Sequence, residues 1–415
     1  MYTTNMNGIK RNLQNKITAL LKKFPVVTLL GARQVGKTTL VKQVAPSWKY
    51  VDLEKPTDFK RIQHDPVFFF QQYSHHVIID EAQTYPDLFK VLRSSIDEKR
   101  HEKGRFLMTG SSSPELLSHI SESLAGRVAI IELGTLKANE YYEKPLSDFY
   151  QIFNQKLTRN ILNHLKPALT MQQMQMLWFK GGYPEPLLEH DVLFQKQWIE
   201  SYRDTYINRD IAKLFPKLNR FAFQRFLQIL CKLSGTIINK SDLARTIEVS
   251  EGTIREYLSI AAGTFLWRVL PSYEKNIIKS IIKMPKGYLN DTGLLHYLLR
   301  IPSLDELYQD PIVGHSFEGF VIGEIMKGLQ ATLLTNWQAH YYRTRNGAEI
   351  DLILTGPFGM LPIEIKYGST IKMNQLISLT QFIKEHHLPI GLLINQSDTI
   401  EWITPEIIQI PIGCL

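Results

Sequence analysis

Residues 28–40 read TLLGARQVGKTTL, the spacing Gly-x-x-x-x-Gly-Lys-Thr set between an apolar run and a helical stretch. A segment of this kind works only as a turn from a strand into a helix. Gly31 and Gly36 let the backbone curl, so that the N–H groups from Ala32 through Arg33, Gln34 and Val35 can face a phosphate. The helix that follows, with Lys37, Thr38 and Thr39 in its first turn, adds the positive end of its dipole. Lys37 is expected to reach the β- and γ-phosphates of ATP, and the Thr38 hydroxyl to ligate Mg2+. Arg33 would add positive charge beside them. A plain Gly-rich turn is the structural alternative. The surroundings fit a parallel sheet: apolar runs at 25–30, 49–53, 76–80, 105–109 and 127–133 are separated by helical stretches.

A second segment agrees with the first. HVIIDEAQ (residues 76–83) ends an apolar run in Asp80 and Glu81, which places two carboxylates at the C-terminal edge of the sheet, where ligands of open α/β sheets bind. Asp80 is expected in the Mg2+ shell, and Glu81 is expected to orient or deprotonate the attacking water. Thr109, Ser111 and Ser112 in TGSSS could sense the γ-phosphate, or form only a turn. Arg127 reads either as an arginine finger offered to a neighbouring subunit, which would need a homo-oligomer, or as half of a surface salt bridge.

Together with TGSSS, LAGR, GGYPEP, INRDI, PKGYLNDTGLL and EIDLIL…PIEIKYG, these segments resemble prokaryotic AAA-type ATPases that carry a C-terminal domain of the restriction-endonuclease-like fold. The resemblance runs over nearly the whole chain. It implies a multi-domain α/β protein with an ATPase domain at 1–145, a helical lid or linker at 146–234, a winged helix-turn-helix at 235–290 and an endonuclease-like domain at 291–415.

At 415 residues the chain is long enough for several domains, and 44% hydrophobic residues give it a core. The net charge of +8 leans towards a polyanion such as DNA. Cys231 and Cys414 are too few for a disulfide framework, and no apolar run is long enough for a membrane span, so a cytoplasmic protein is expected. In NKSDLARTIEVSEGTIREYLSIA a helix over 241–246, a turn and a helix from Ser250 form a helix–turn–helix. Ala244, Ile247, Val249, Ile254 and Leu258 are expected inside, with Glu251, Arg255 and Glu256 outside. A wing with Lys275, Lys279, Lys283 and Lys286 would contact a DNA backbone. Winged helices also serve as protein–protein joints.

In EIDLIL, alternation puts Ile350, Leu352 and Leu354 on one face and Asp351 with Ile353 on the other. A turn at 356–359 brings Asp351 towards Glu364 and Lys366 of PIEIKYG. Glu318, or alternatively Glu324, comes from the helix upstream. Glu318, Asp351, Glu364 and Lys366 follow the order E…D…E-x-K of restriction-endonuclease-like enzymes, in which carboxylates hold Mg2+ and the lysine stabilises the attacking hydroxide. A buried ion-pair network would satisfy the same residues. Arg343 and Arg345 would suit a phosphodiester, and Tyr341, Tyr342 and Tyr367 would stack bases or pack in the core. The expected activity is Mg2+-dependent ATP hydrolysis coupled to a winged-helix and nuclease-like module acting on DNA. The alternative is a nucleotide-controlled switch that binds protein partners through a nuclease-like domain that no longer cuts.

Overall fold

The computed structural model describes residues 8–111, 120, 122–162, 164–189, 191–211, 215, 218–274 and 283–415. Ser112, Lys275 and Lys279, singled out above, lie outside these. The chain divides into two compact units: Met1–Leu136 with Tyr183–Glu185 and Ser259–Phe265, and Lys137–Gly182 with Pro186–Leu258 and Leu266–Leu415.

The first unit is a parallel sheet of β1 (Val26–Gly31), β2 (Lys49–Asp52), β3 (Val77–Asp80), β4 (Phe106–Ser111) and β5 (Val128–Glu132), in the order β2-β3-β4-β1-β5. All five overlap the runs read from the sequence, with β1 and β4 extending one and two residues past the ends of theirs. β1 and β3 are buried along their whole length, as strands covered on both faces are. The helix α1 (Lys37–Val44) leaves the end of β1, and α2 (Leu88–Glu98) presents Leu88, Phe89, Leu92 and Ile96 to the core formed with Val26, Val77, Ile79, Phe106 and Met108. Because β4 lies between β1 and β3, its C-terminal end separates the phosphate loop from the Asp80-Glu81 pair. That position decides the chemistry of the site.

The second unit contains a short antiparallel sheet of β6 (Thr236–Ile237), β7 (Trp267–Leu270) and β8 (Lys286–Leu289), in the order β6-β8-β7. Between β6 and β7 run α3 (Lys240–Ile247) and α4 (Glu251–Gly263). Ala244, Ile247 and Ile254 are buried, Val249 and Leu258 are half-buried, and Glu251, Arg255 and Glu256 are exposed. Asn239 caps α3, and Ser250 accepts from the N–H of Thr253 at 3.0 Å to start α4.

A six-stranded mixed sheet closes the unit: β9 (Gln338–Arg343), β10 (Glu349–Gly356), β11 (Gly359–Ile365), β12 (Gly391–Asn395), β13 (Glu401–Thr404) and β14 (Ile407–Pro411), in the order β13-β14-β12-β11-β10-β9. β10 and β11 form the expected hairpin, turning between Gly356 and Gly359. The expected alternation along β10 is corrected in one respect. Ile350 and Ile353 join the same core cluster, with Leu379, Phe382 and Leu393, because the pairing with β9 shifts register between them. A bulge at that point re-aims the residues inside it, Asp351 among them. Helix α5 (Val313–Ala331) carries Glu318. Among the described residues no helix is long and apolar enough to cross a membrane.

Candidate functional site

The phosphate loop is built on two backbone constraints. Gly31 ends β1 where a Cβ would come within 2.3 Å of the Leu133 carbonyl oxygen, so only glycine fits beside the chain leaving β5. Gly36 caps α1 at φ 91°, a left-handed conformation that glycine adopts without strain. Between them the Arg11 guanidinium binds the Val35 carbonyl at 2.8 Å and the Gly134 carbonyl at 2.8 Å, fixing the loop from behind.

Lys37 is buried and donates to the carbonyls of Gly31 (3.1 Å) and Ala32 (2.9 Å). Desolvation pulls its pKa down, and the neighbouring charges of Glu81 and Asp80 oppose the fall. A cation held this dry gains most from an incoming anion. Arg33 turns towards Glu54, at 3.7 Å, and Gln34 and Thr39 are exposed.

The Thr38 hydroxyl donates to Asp80 Oδ2 at 2.8 Å, so the two groups expected to hold Mg2+ lie side by side. Tyr50 donates to the same oxygen at 2.6 Å, and Thr109 donates to Asp80 Oδ1. Burial raises the pKa of the Tyr50 phenol, helped by that hydrogen bond, so Tyr50 is a fixed donor. Thr109 also accepts from the N–H of Glu81 at 3.2 Å, which pins Glu81 in a left-handed backbone conformation (φ 55°). Gln83 and Ser111 (3.1 Å) both donate to Glu81 Oε2. Burial, then the charge of Glu81, raises the pKa of Glu54 at the same edge. A desolvated lysine faces a carboxylate-rich edge that includes a hydroxyl–carboxylate pair, and this donor set fits Mg2+ bound to a nucleotide phosphate. Tyr50 and Gln83 were not among the residues picked from the sequence. Gln83 could have been, as the next polar residue after the acidic pair.

Arg127 makes a two-pronged ion pair with Asp97, Nε to Oδ1 at 2.7 Å and Nη2 to Oδ2 at 2.8 Å. The salt-bridge alternative is the arrangement present.

The C-terminal set also comes together. Asp351 Oδ2 accepts from the N–H of Ile365 at 2.8 Å and lies 3.8 Å from Lys366 Nζ, which is 2.5 Å from Glu364 Oε1. Glu318 joins them, whereas Glu324 belongs elsewhere, paired with Lys327 (2.6 Å) and Lys137 (3.4 Å). Burial pushes the carboxyl of Asp351 up to about 6 and that of Glu364 up to about 8, against the pull of Lys366. Glu364 Oε2 is buried without a hydrogen-bond partner among the described residues, which suits a neutral acid.

Lys286 requires a correction. Expected among the wing lysines, Lys286 is instead buried within β8 and lies 2.6 Å from Glu318 Oε1 and 2.9 Å from Glu349 Oε1. Its strand neighbour Tyr288 donates to Glu318 Oε1 at 2.5 Å. The expected metal ligands are therefore bridged by lysines. Among the described residues no group of three or more His, Cys, Asp or Glu side chains is arranged to hold a metal ion. Lys283 pairs with Glu274 and donates to the Arg343 carbonyl at 2.7 Å, and Arg343 lies 3.7 Å from Glu349. Arg345 is exposed. The tyrosines pack: Tyr341 is buried and donates to the Met284 carbonyl, Tyr342 meets Phe382 edge-on, and Tyr367 lies against Trp178.

Three family models match separate stretches of the chain. Residues 23–142 match an AAA domain, residues 171–305 a domain of unknown function (DUF8612), and residues 313–415 another (DUF4143). Two mycobacterial proteins, Uncharacterized protein Mb2031c of Mycobacterium bovis and Uncharacterized protein Rv2008c of Mycobacterium tuberculosis, are each 34% identical over 367 residues, 87% of this chain and 74% of theirs. Among solved structures, the Walker-type ATPase PABY2304 of Pyrococcus abyssi aligns at 14% identity over 69% of this chain and 94% of its own, with a TM-score of 0.44. The RuvB Holliday junction branch migration motor of Thermotoga maritima aligns at 17% identity over 63% of this chain and 90% of its own, with a TM-score of 0.31. The phosphate loop, the acidic pair and the shared length with the mycobacterial proteins lead to one conclusion: the chain belongs to their family, AAA-type ATPases with a C-terminal domain of unknown function (DUF4143).

Proposed function

We propose that the protein is a Mg2+-dependent ATP hydrolase whose nucleotide state governs a winged-helix module and an endonuclease-like domain that binds without cutting. The hydrolytic part is carried by one observation, the chain of contacts from Thr38 through Asp80 and Thr109 to Glu81. In this reading the loop from Gly31 to Thr39 cradles the phosphates, and Lys37 neutralises the β- and γ-oxygens. Thr38 and Asp80 would hold Mg2+, which would supply charge neutralisation at the transferred phosphate. Glu81 orients the water and takes its proton; Gln83 and Ser111 hold one carboxylate oxygen and leave the other for that water.

The order helix, helix, β7, β8 around a three-stranded antiparallel sheet supports reading residues 235–290 as a winged helix. Its outward face favours the protein-binding role over DNA. Glu251 and Glu256 are exposed there, Arg255 lies 3.8 Å from Glu251, and Lys283 is paired with Glu274. A DNA-processing role has Arg345 and the net charge of +8 in its favour. ATP turnover with and without single- and double-stranded DNA, alongside plasmid incubation with Mn2+, separates the two. Turnover indifferent to DNA, with intact plasmid, is expected. DNA-stimulated turnover or cleavage would replace the switch with a DNA-processing enzyme.

A further inference from the structure

Lys286 lies among Glu318, Glu349 and Asp351, two of which the sequence pattern assigns to the metal of an endonuclease-like site. Its ammonium lies 2.6 Å from Glu318, 2.9 Å from Glu349 and 3.9 Å from Asp351, and the side chain is 3% exposed. Glu318 receives a further hydrogen bond from Tyr288, and His315 Nδ1 lies 3.7 Å from its other oxygen. Lys366 plays the same part for Asp351 and Glu364. Each of these carboxylates is thus within ion-pair reach of an ammonium, and Glu318, Glu349 and Asp351 open onto a cavity of about 450 Å3 lined also by Lys366, Tyr367 and Gln375. A divalent ion bridging Glu318 and Asp351 would need oxygens at about 2.0–2.6 Å. It would have to share that gap with a like charge in a poorly solvated place, which is strongly unfavourable.

We propose that Lys286 is the resident cation of this pocket and takes the place of the divalent metal, so that the domain keeps its carboxylates paired without an ion. The inference rests on the endonuclease-like, non-cutting reading of the domain. β8 is the central strand of the three-stranded sheet, so the same ammonium also ties that sheet to α5 and β10.

The test is thermal melting of the full-length chain, without nucleotide, with and without Mn2+. Wild type, Lys286→Met, Glu318→Gln and the double variant Lys286→Met/Glu318→Gln share one phosphate loop, so differences among them report the C-terminal pocket. Wild type should show no Mn2+ response that depends on Glu318. Lys286→Met should melt several degrees lower and recover several degrees with Mn2+, because removing the ammonium frees the carboxylates for the ion. The double variant should regain stability without Mn2+ and lose the response. If Lys286→Met yields folded protein only when prepared with Mn2+, the proposal is supported equally. A wild-type Mn2+ shift that disappears in Glu318→Gln would overturn it, since ion and lysine would then coexist. A Lys286→Met chain that ignores Mn2+, or stays unfolded with it while the double variant folds, would also overturn it. Either of these with uncut plasmid removes the Lys286 assignment alone, whereas plasmid cleavage by wild type removes the reading beneath it.

Discussion

Replacing Thr109 by valine removes one hydroxyl and changes the shape of the side chain little. That hydroxyl donates to Asp80 and accepts from the N–H of Glu81 in the interior of the first unit. Valine therefore leaves a buried carboxylate short of a donor and a backbone N–H without an acceptor, at about 1–3 kcal/mol for each group. Tyr50 and Thr38 still hold Asp80 Oδ2, so the loss at Asp80 is partial, and a total of about 2–4 kcal/mol is expected. The larger consequence is kinetic. The Thr109 hydroxyl holds the N–H of Glu81 in its left-handed backbone conformation, and displacing a carboxylate with the role proposed for Glu81 by about 1 Å would cost roughly 100-fold in rate. Thr109→Val should bind ATP nearly as wild type, through Lys37 and the loop, yet hydrolyse it about 10–100-fold more slowly. Thr109→Ser, which keeps the oxygen, should retain most of the rate. Single-turnover hydrolysis with saturating enzyme reads the chemical step, and thermal melting reads the stability. A Thr109→Val chain with lowered stability but wild-type single-turnover rate would refute the claim that Thr109 positions Glu81.

Three further perturbations have definite expectations. Gly31→Ala drives a Cβ to within 2.3 Å of the Leu133 carbonyl, a backbone atom that cannot step aside, so a loss of about 3 kcal/mol and of ATP binding should appear in melting and nucleotide titration. Arg127→Ala should bind ATP normally and hydrolyse it at the wild-type rate, since Arg127 is engaged by Asp97; slow turnover restored by mixing with Lys37→Ala subunits would instead identify a finger acting in trans. His296 is buried, with its ring between the Phe179 carbonyl and the Ser316 hydroxyl, and desolvation lowers its pKa to about 4. Its folded value lies below its unfolded one, so its contribution is present above about pH 6.5 and lost as pH falls towards 4, about 3 kcal/mol in all. Melting of His296→Gln should be flatter with pH in that window, and an unchanged profile would remove His296 as its source.

The first unit was legible because its signals are local. A phosphate loop, an acidic pair at a strand end and each single apolar run sit within a dozen residues. Tyr50 escaped because its partner Asp80 lies 30 residues away, on a neighbouring strand. The C-terminal cluster was legible in part, since Asp351, Glu364 and Lys366 belong to one hairpin and the residue after it. Lys286 was misread because spacing along the chain groups it with Lys275, Lys279 and Lys283. In three dimensions it meets Glu318 and Glu349, which lie 32 and 63 residues further along the chain. Lys286 and Tyr288 are two apart in a strand and so share a face, which was the available signal. Glu349 is likewise two residues before Asp351, but the bulge that follows makes simple alternation an unsafe guide there.

Activation of water by Glu81 at a Mg2+-dependent ATP site is what the proposed hydrolysis depends on. Steady-state phosphate release and nucleotide binding by the wild-type chain and by Glu81→Gln, each with and without Mg2+, test it most directly. Wild type should turn over ATP only with Mg2+, and Glu81→Gln should bind ATP as tightly while releasing phosphate at least about 100-fold more slowly, the scale of a lost general base. Glu81→Gln turning over ATP at the wild-type rate would contradict it.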